Sequence, residues 1–388
     1  MSQVLIGMVG DLLIDRECPG EALEAVTDLL AGPDVLFGNL EASFSDEPHA
    51  APSAAIGLFP AAHNLDAFAR AGFHVLSMAN NHICDAGHAA MLENRARLRS
   101  QGVKTCGAGV NISDARRPAI VDTKGVSIAF LGYASVFPMG YEARSNVPGL
   151  VPARAYDLWR PGLDNYHVPG TPPRTHSVRD ESDFAAIRKD ICAAKQQADL
   201  VAVSFHWGDW LRPYHLTEHE TQTARWCIEQ GADLVIGHHH HALRGIEWYR
   251  GRPIFYGLGH FVFDLRLNVS DELKAEFSAM PPDARDYSVF PREGWPLLPL
   301  HPDTRMTLMA WASVGSDGVS EIGFVPCRLR PDGSVAAVDP ASEEGKEVLA
   351  YVERCIVSQK LNGRICTDRA RPLAGRPSVC VVEALSST

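Results

Sequence analysis

The stretch Val4-Leu5-Ile6-Gly7-Met8-Val9-Gly10-Asp11 runs apolar and then turns abruptly polar. An apolar run this short, closed by Gly-Asp, reads as a buried strand rather than a helix. It has no basic leader before it and is too short for a signal peptide or a membrane span. The same design recurs four times downstream. Apolar residues 34–37 precede Gly38-Asn39-Leu40-Glu41, and 74–78 precede Asn80-Asn81-His82 and Asp85. Residues 200–204 precede His206-Trp207-Gly208-Asp209, and 233–236 precede Gly237-His238-His239-His240-His241. Amphipathic segments at 21–30, 64–71, 89–100, 183–197 and 218–229 separate these runs, with a further strand at 127–132. Strands alternating with helices of this length predict βαβ units and a helix-covered sheet. Residues 119–122 with 127–132, and 246–249 with 253–255, read as hairpins around Lys124-Gly125 and Arg250-Gly251, so a second, partly antiparallel sheet is expected.

The rest of the chain bounds the function. Of 388 residues, 46% are hydrophobic and 21% charged, which supports a large core and excludes a disordered chain. The net charge of −11 argues against nucleic acid as a partner, because phosphate binding draws on Lys and Arg. Nine cysteines, with no Cys-x-x-Cys pair, fit reduced thiols in a cytoplasmic protein, without a disulfide framework or a thiol zinc site. No other segment reaches about 18 apolar residues, so no membrane association is expected. Residues 1–339 read as one domain carrying two long inserts, 135–181 and 265–304, of the kind that form lids or loops. Residues 340–388 supply a helix at 343–358 and a patternless tail packing on that domain.

Ligands of open α/β sheets bind beyond the carboxyl ends of the strands. Five strands here deliver Asp, Glu, Asn and His to one rim. Imidazole and carboxylate together suit one or two divalent ions such as Mn, Zn or Fe. Such ions supply hydroxide at neutral pH, and a nearby imidazole can protonate a leaving group. Each cluster alone has a plainer reading: Gly-Asp and Asn-Asn as turns, the histidine run as an adventitious metal binder. Their common placement favours a metal centre.

The ordered motifs, extended by Tyr256-Gly257-Leu258-Gly259-His260-Phe261, resemble the CapA-type family of poly-γ-glutamate capsule synthesis (PGA_cap). That family is similar to calcineurin-like metallophosphoesterases. The resemblance spans residues 4–264 and implies an α/β fold: a four-layer α/β/β/α sandwich of two sheets with helices outside. It implies metal ligands at Asp11, Glu41 (bridging), Asn81, His206, His239 and His241, with His82 catalytic. Asp85 is placed either to orient His82 or to cap the following helix. Asn39, Asn80, Trp207, Asp209, His238 and His260 are placed around the ligands, as substrate contacts or supports. His260 reads either as an extra metal ligand or as a structural hydrogen-bonding residue, and Trp210 flanks the His206 loop beside Asp209 at the rim or just outside it. Three departures stand out: Leu12-Leu13 where Asp-x-His is usual, His240 where Pro is usual, and His260 where Asn is usual. The first leaves one metal position short of a histidine, so that position is expected to be weak or empty, with a mononuclear centre as the alternative to a dinuclear one. In the inserts, Arg144, Arg154 and Arg174 are candidate anion clamps or solvated charges. Tyr141, Trp159, Tyr166, Phe290 and Trp295 are candidate pocket walls or loop packing.

The leading expectation is a hydrolase using metal-activated water on an ester, amide or phosphoester of a small polar or acidic molecule, with a γ-glutamyl-type substrate among the candidates. Two alternatives stand beside it: an accessory protein of poly-γ-glutamate synthesis or export, and a binding protein without catalysis. A homodimer is left open.

Overall fold

A computed structural model describes residues 3–54, 56–160, 174–266, 275–276, 278–368 and 372–384. Two mixed sheets organise them. In the first, strand Val4–Leu13 lies parallel to Val35–Leu40, which continues in parallel to Val75–Ser77 and Lys104–Cys106. On its other side Val4–Leu13 changes partner midway. Its first half pairs antiparallel with Met306–Gly315 and its second half parallel with His260–Phe263. Met306–Gly315 returns through Gly318–Leu329, and two strands from the tail, Val379–Glu383 and Gly363–Cys366, extend the sheet further. The second sheet runs in the order Ile246–Tyr249, Arg252–Phe255, Leu234–His238, Leu200–His206, Val126–Ala134, Ala119–Thr123, with the predicted hairpins at its two edges.

The strands are apolar on both faces because both faces are covered, the usual state of parallel strands. All seven residues of Leu200–His206 are buried. Val4, Ile6, Met8 and Phe37 of the first sheet meet Ile128, Phe130, Leu234, Ile236 and Phe255 of the second in one shared core. There Phe37 stacks on Phe130 with centroids 5.3 Å apart. Burying a ring of this size contributes roughly 1.5–3 kcal/mol. Helix Gly87–Ser100 and the short turns before it cover the outer face of the first sheet through Leu29, Phe68, Met91 and Leu98. Helices Glu181–Lys195 and Glu218–Glu229 cover the second through Phe184, Ile187, Ile191, Ala224 and Cys227. Both begin as their sequences dictate. Asp180 caps the first, and Thr217 forms a reciprocal capping box with Glu220 in the second. Helix Glu343–Ser358 seals the shared core with Val348, Tyr351, Val352 and Cys355.

Several elements differ from expectation. Residues 21–30 form 3-10 turns and one short helix, Thr27–Leu30. The hairpin Met306–Gly315 with Gly318–Leu329 was not foreseen, and the tail past Ser358 is not patternless but contributes two sheet strands. The first insert contains a two-stranded ribbon, Ala155–Arg160 with Arg174–Arg179. Trp159 on that ribbon is 68% exposed, so it is neither pocket wall nor packing. Tyr166 lies outside the described residues. No helix among the described residues is long and apolar enough to cross a membrane.

Candidate metal centre

Five strand ends converge on one rim. Asp11 stands in register with Asn39 on one side and His260 on the other, and His206 is in register with His238. Gly10 allows the first of these approaches. A Cβ there would sit 1.9 Å from the Gly259 carbonyl oxygen, which instead accepts from the Asp11 N–H at 3.0 Å.

At the rim, donor atoms of Glu41, His206 and His239 lie within 4.8 Å of one another, as do those of Asp11, Glu41 and His241. Glu41 belongs to both groups. Asn81 Oδ1 stands 2.7 Å from His206 Nε2, which is 3.1 Å from His239 Nδ1. Donors this close repel unless a proton or a cation lies between them. Asn39 organises the carboxylates: its Nδ2 donates to Asp11 Oδ1 at 2.8 Å and lies 3.5 Å from Glu41 Oε2. Asn80 fixes Asn39 in turn, donating to its Oδ1 and to the Leu40 carbonyl. The histidine run takes a costly path to reach the rim, with His239 at φ +99° and His241 at φ +55°. Such left-handed geometry is disfavoured by roughly 1–2 kcal/mol for residues other than glycine.

Burial dominates the electrostatics. It raises the Asp11 carboxyl to about 6 against the hydrogen bonds from Glu41 and Asn39, and it raises Glu41 well above the usual range, with the Asp11 charge adding to it. It lowers the His239 imidazole to about 3 and holds His206 and His241 well below their ordinary value. Neutral imidazoles facing carboxylates that resist ionising form a donor set with an unmet demand for positive charge. Glu41 Oε1, His238 Nδ1, His241 Nδ1 and both His260 ring nitrogens are buried without a hydrogen bond. Buried polar groups ordinarily find partners. The residues therefore fit a divalent ion.

Above the cluster opens a cavity of about 280 Å³. Asn81, His82, His239 and His241 line it on the cluster side, and Ile56, Leu58, Trp210, Phe263, Leu265, Val289 and Leu300 form apolar walls. No Lys or Arg lines it among the described residues. His82 Nδ1 is bonded to Asp85 Oδ2 at 2.8 Å, which leaves Nε2 for a bound molecule. Asp85 is itself held by the Leu58 N–H and the Tyr141 hydroxyl, so it orients His82. The alternative reading of Asp85, as a cap for helix Gly87–Ser100, fails: no side chain caps that helix, whose N-cap position is Ala86.

Other candidates point elsewhere. Trp207 is buried against Phe205 in the core outside the second sheet, its Nε1 donating to the Tyr256 carbonyl. Asp209 braces its own loop through the Leu211 N–H and Arg212. His238 binds Ser204 Oγ through Nε2 and turns Nδ1 toward Asp11 at 3.8 Å. His240 turns away from the rim to pair with Glu220 at 2.7 Å. Arg144 pairs with Glu142 and Arg154 with Asp183, and neither they nor Arg174 line the cavity. Phe290 and Trp295 pack against the first core, beneath the loop they belong to. Trp210, which flanks the His206 loop beside Asp209 and reads from the sequence as a residue at the rim or just outside it, walls the cavity facing His241, whereas sequence patterning gave no signal for the Glu220–His240 pair.

Fold and site together define an α/β protein with a carboxylate–imidazole cluster at the carboxyl ends of its strands. The chain belongs to the bacterial capsule synthesis protein family PGA_cap, whose profile matches residues 6–265. It is 35% identical over 193 residues to the "PGA biosynthesis protein CapA" of Bacillus subtilis, covering 50% of this chain and 43% of that one. It is 30% identical over 259 residues to a "probable polyglutamine synthesis accessory protein" of Mycobacterium tuberculosis, covering 65% and 61%. It is 28% identical over 268 residues to the "capsule biosynthesis protein CapA" of Bacillus anthracis, covering 66% and 59%. The chain thus spans less than two thirds of the length of these relatives.

Proposed function

We propose that the protein serves poly-γ-glutamate synthesis, export or turnover as an accessory protein, and that its contribution is metal-dependent hydrolysis. The first part is supported by the match to the capsule synthesis family, which spans every donor from Asp11 to His241, and by one relative named for PGA biosynthesis and another named as a probable polyglutamine synthesis accessory protein. It follows the alternative expectation more closely than the leading one, since none of those names describes a hydrolase. The second part is carried by one observation: a single carboxylate, Glu41, is shared between two donor groups beside the floor of a cavity.

In this reading Asp11, Glu41, Asn81, His206, His239 and His241 hold one or two Mn, Zn or Fe ions. Such ions act as Lewis acids and generate hydroxide from bound water at neutral pH. The chain supplies the rest. His82, fixed by Asp85 through Nδ1, offers Nε2 to protonate the leaving oxygen or nitrogen. The apolar walls exclude water and hold the uncharged part of the substrate. With no Lys or Arg in those walls among the described residues, an acidic substrate group is drawn to the cluster itself. On this reading the two sheets and their outer helices are the four-layered sandwich of calcineurin-like metallophosphoesterases.

The test is incubation of protein loaded with Mn²⁺, Zn²⁺ or Fe²⁺ with γ-linked polyglutamate and with a panel of simple esters, amides and phosphodiesters. Polymer shortening or product release by wild type, absent in His206→Ala, is the expected result. Stoichiometric metal without turnover of any of these would overturn the hydrolytic part.

A further inference from the structure

The cavity above the cluster has two unlike ends. On one side stand Asn81, His239, His241 and the Nε2 side of His82. On the other stand Ile56, Leu58, Trp210, Val289 and Leu300, all on loops between the strands. Two aromatic rings mark the boundary: those of Phe263 and Trp210 lie 4.8 Å and 6.3 Å from the His241 ring. Polar groups on the loop side are already engaged. The Leu58 N–H donates to Asp85, and the Leu58 carbonyl accepts from the Ser43 N–H. Ser53 Oγ donates to the Met139 carbonyl, and the Leu265 N–H to the Leu297 carbonyl.

A molecule that fills this cavity must be two-ended as well. In a γ-linked glutamate chain every residue keeps one free carboxylate. Threading that chain through would set a charge against Leu58, Val289 or Leu300, with no Lys or Arg among the described lining residues to receive it. A carboxylate buried without a partner is strongly disfavoured. An uncharged chain or ring is favoured in the same place, each methylene taken out of water strengthening binding roughly fourfold. An acyl group spans the two ends: its oxygens face the cluster and His82, and its chain faces the loops.

We propose that the substrate is an ester or amide of an apolar monocarboxylic acid, its acyl chain seated among Ile56, Leu58, Trp210 and Leu300. The inference rests on the hydrolytic reading and narrows it, since internal bonds of a polyglutamate chain are kept out of the cavity. The acyl carbon takes hydroxide from water as its bond to the leaving oxygen or nitrogen breaks. That atom takes a proton from His82 Nε2, and the remaining proton of the water restores the imidazole. The test titrates Mn²⁺-loaded wild type, Trp210→Ala and Ile56→Asp calorimetrically with acetate, butyrate, hexanoate, octanoate and γ-glutamylglutamate. The matching ethyl esters are then offered as substrates. Both substituted positions are half-buried, and far-ultraviolet circular dichroism confirms that each variant is folded. Wild-type affinity should climb roughly fourfold per methylene from acetate to hexanoate, with ester turnover in the same order and γ-glutamylglutamate bound no better than acetate. Each variant should lose at least roughly tenfold on octanoate and keep its affinity for acetate. A flat series, a climb that both folded variants retain, or tightest binding of γ-glutamylglutamate would overturn the substrate class and leave the hydrolytic reading standing. A climbing series without turnover of any ester would overturn the hydrolytic reading instead, and leave the cavity as a seat for the apolar acid itself.

Discussion

Tyr141 and Asp85, 56 residues apart in the chain, meet through a 2.7 Å hydrogen bond in which the buried phenol donates to Asp85 Oδ1 while Oδ2 holds His82. The first insert is thereby tied to the residue most exposed to a reacting molecule. Tyr141→Phe removes the donor and keeps the ring. It is expected to cost about 1–2 kcal/mol of stability, read from urea melts, because a buried carboxylate oxygen loses its partner. Turnover should fall several-fold with KM nearly unchanged, since His82 loses orientation and the cavity keeps its shape. A variant as stable as wild type would mean that the bond contributes nothing net.

The four consecutive histidines divide into different tasks. His239→Ala and His241→Ala are expected to lose bound metal, each by removing a donor from one group around Glu41. His240→Ala should keep the full metal content yet lose roughly 3 kcal/mol of stability, because Glu220 is left buried without its imidazole. Elemental analysis beside thermal melts separates the outcomes. Loss of metal in His240→Ala would contradict the geometry.

Backbone strain in the same run gives an independent check. His239 sits at φ +99°, where glycine is unstrained and alanine is not. In chelator-treated protein, His239→Gly is expected to be more stable than His239→Ala by roughly 1 kcal/mol. Equal stabilities would show that the loop relaxes once the imidazole is gone.

Far from the site, Asp66 is held down to about 2 by its paired hydrogen bonds from Arg97, with Gln101 adding a third. A carboxyl whose folded pKa is depressed stabilises the protein above its unfolded value near 4, and that stability is lost as pH falls toward 2. Asp66→Asn should cost roughly 0.5–1 kcal/mol at pH 7, the range of a well-formed surface pair. The gap from wild type should narrow steadily between pH 4 and pH 2 in denaturant titrations.

The strands that carry the site were legible because parallel strands buried on both faces read as short apolar runs, and their polar ends announce the rim. The clusters that contain Asp11, Glu41, Asn81, His206, His239 and His241 follow from those patterns, while the choice of these six within them is what the family resemblance implies. Met306–Gly315 and Gly318–Leu329 were not legible. Their long apolar stretches lack a period that separates strand from helix, and their place depends on pairing with Val4–Met8, some 300 residues away in the chain. Which of four adjacent histidines face inward is set by the φ values of His239 and His241 rather than by residue type, so only the family resemblance marks those two. Trp207 followed the right strand but points into the core, because His206 already occupies the rim side.

The change of partner along Val4–Leu13 also bears on when the site can exist. Asp11 is placed by Gly259 and His260, and the neighbouring edge is closed by Met306–Gly315. A ribosome must therefore release most of the chain before the first strand finds its lasting neighbours. Until then its edge stands open to wrong pairings. Val4–Leu13 is among the last elements to settle although it precedes its neighbours in the chain, so a translation product interrupted before Gly259 carries the acidic half of the rim without a finished site.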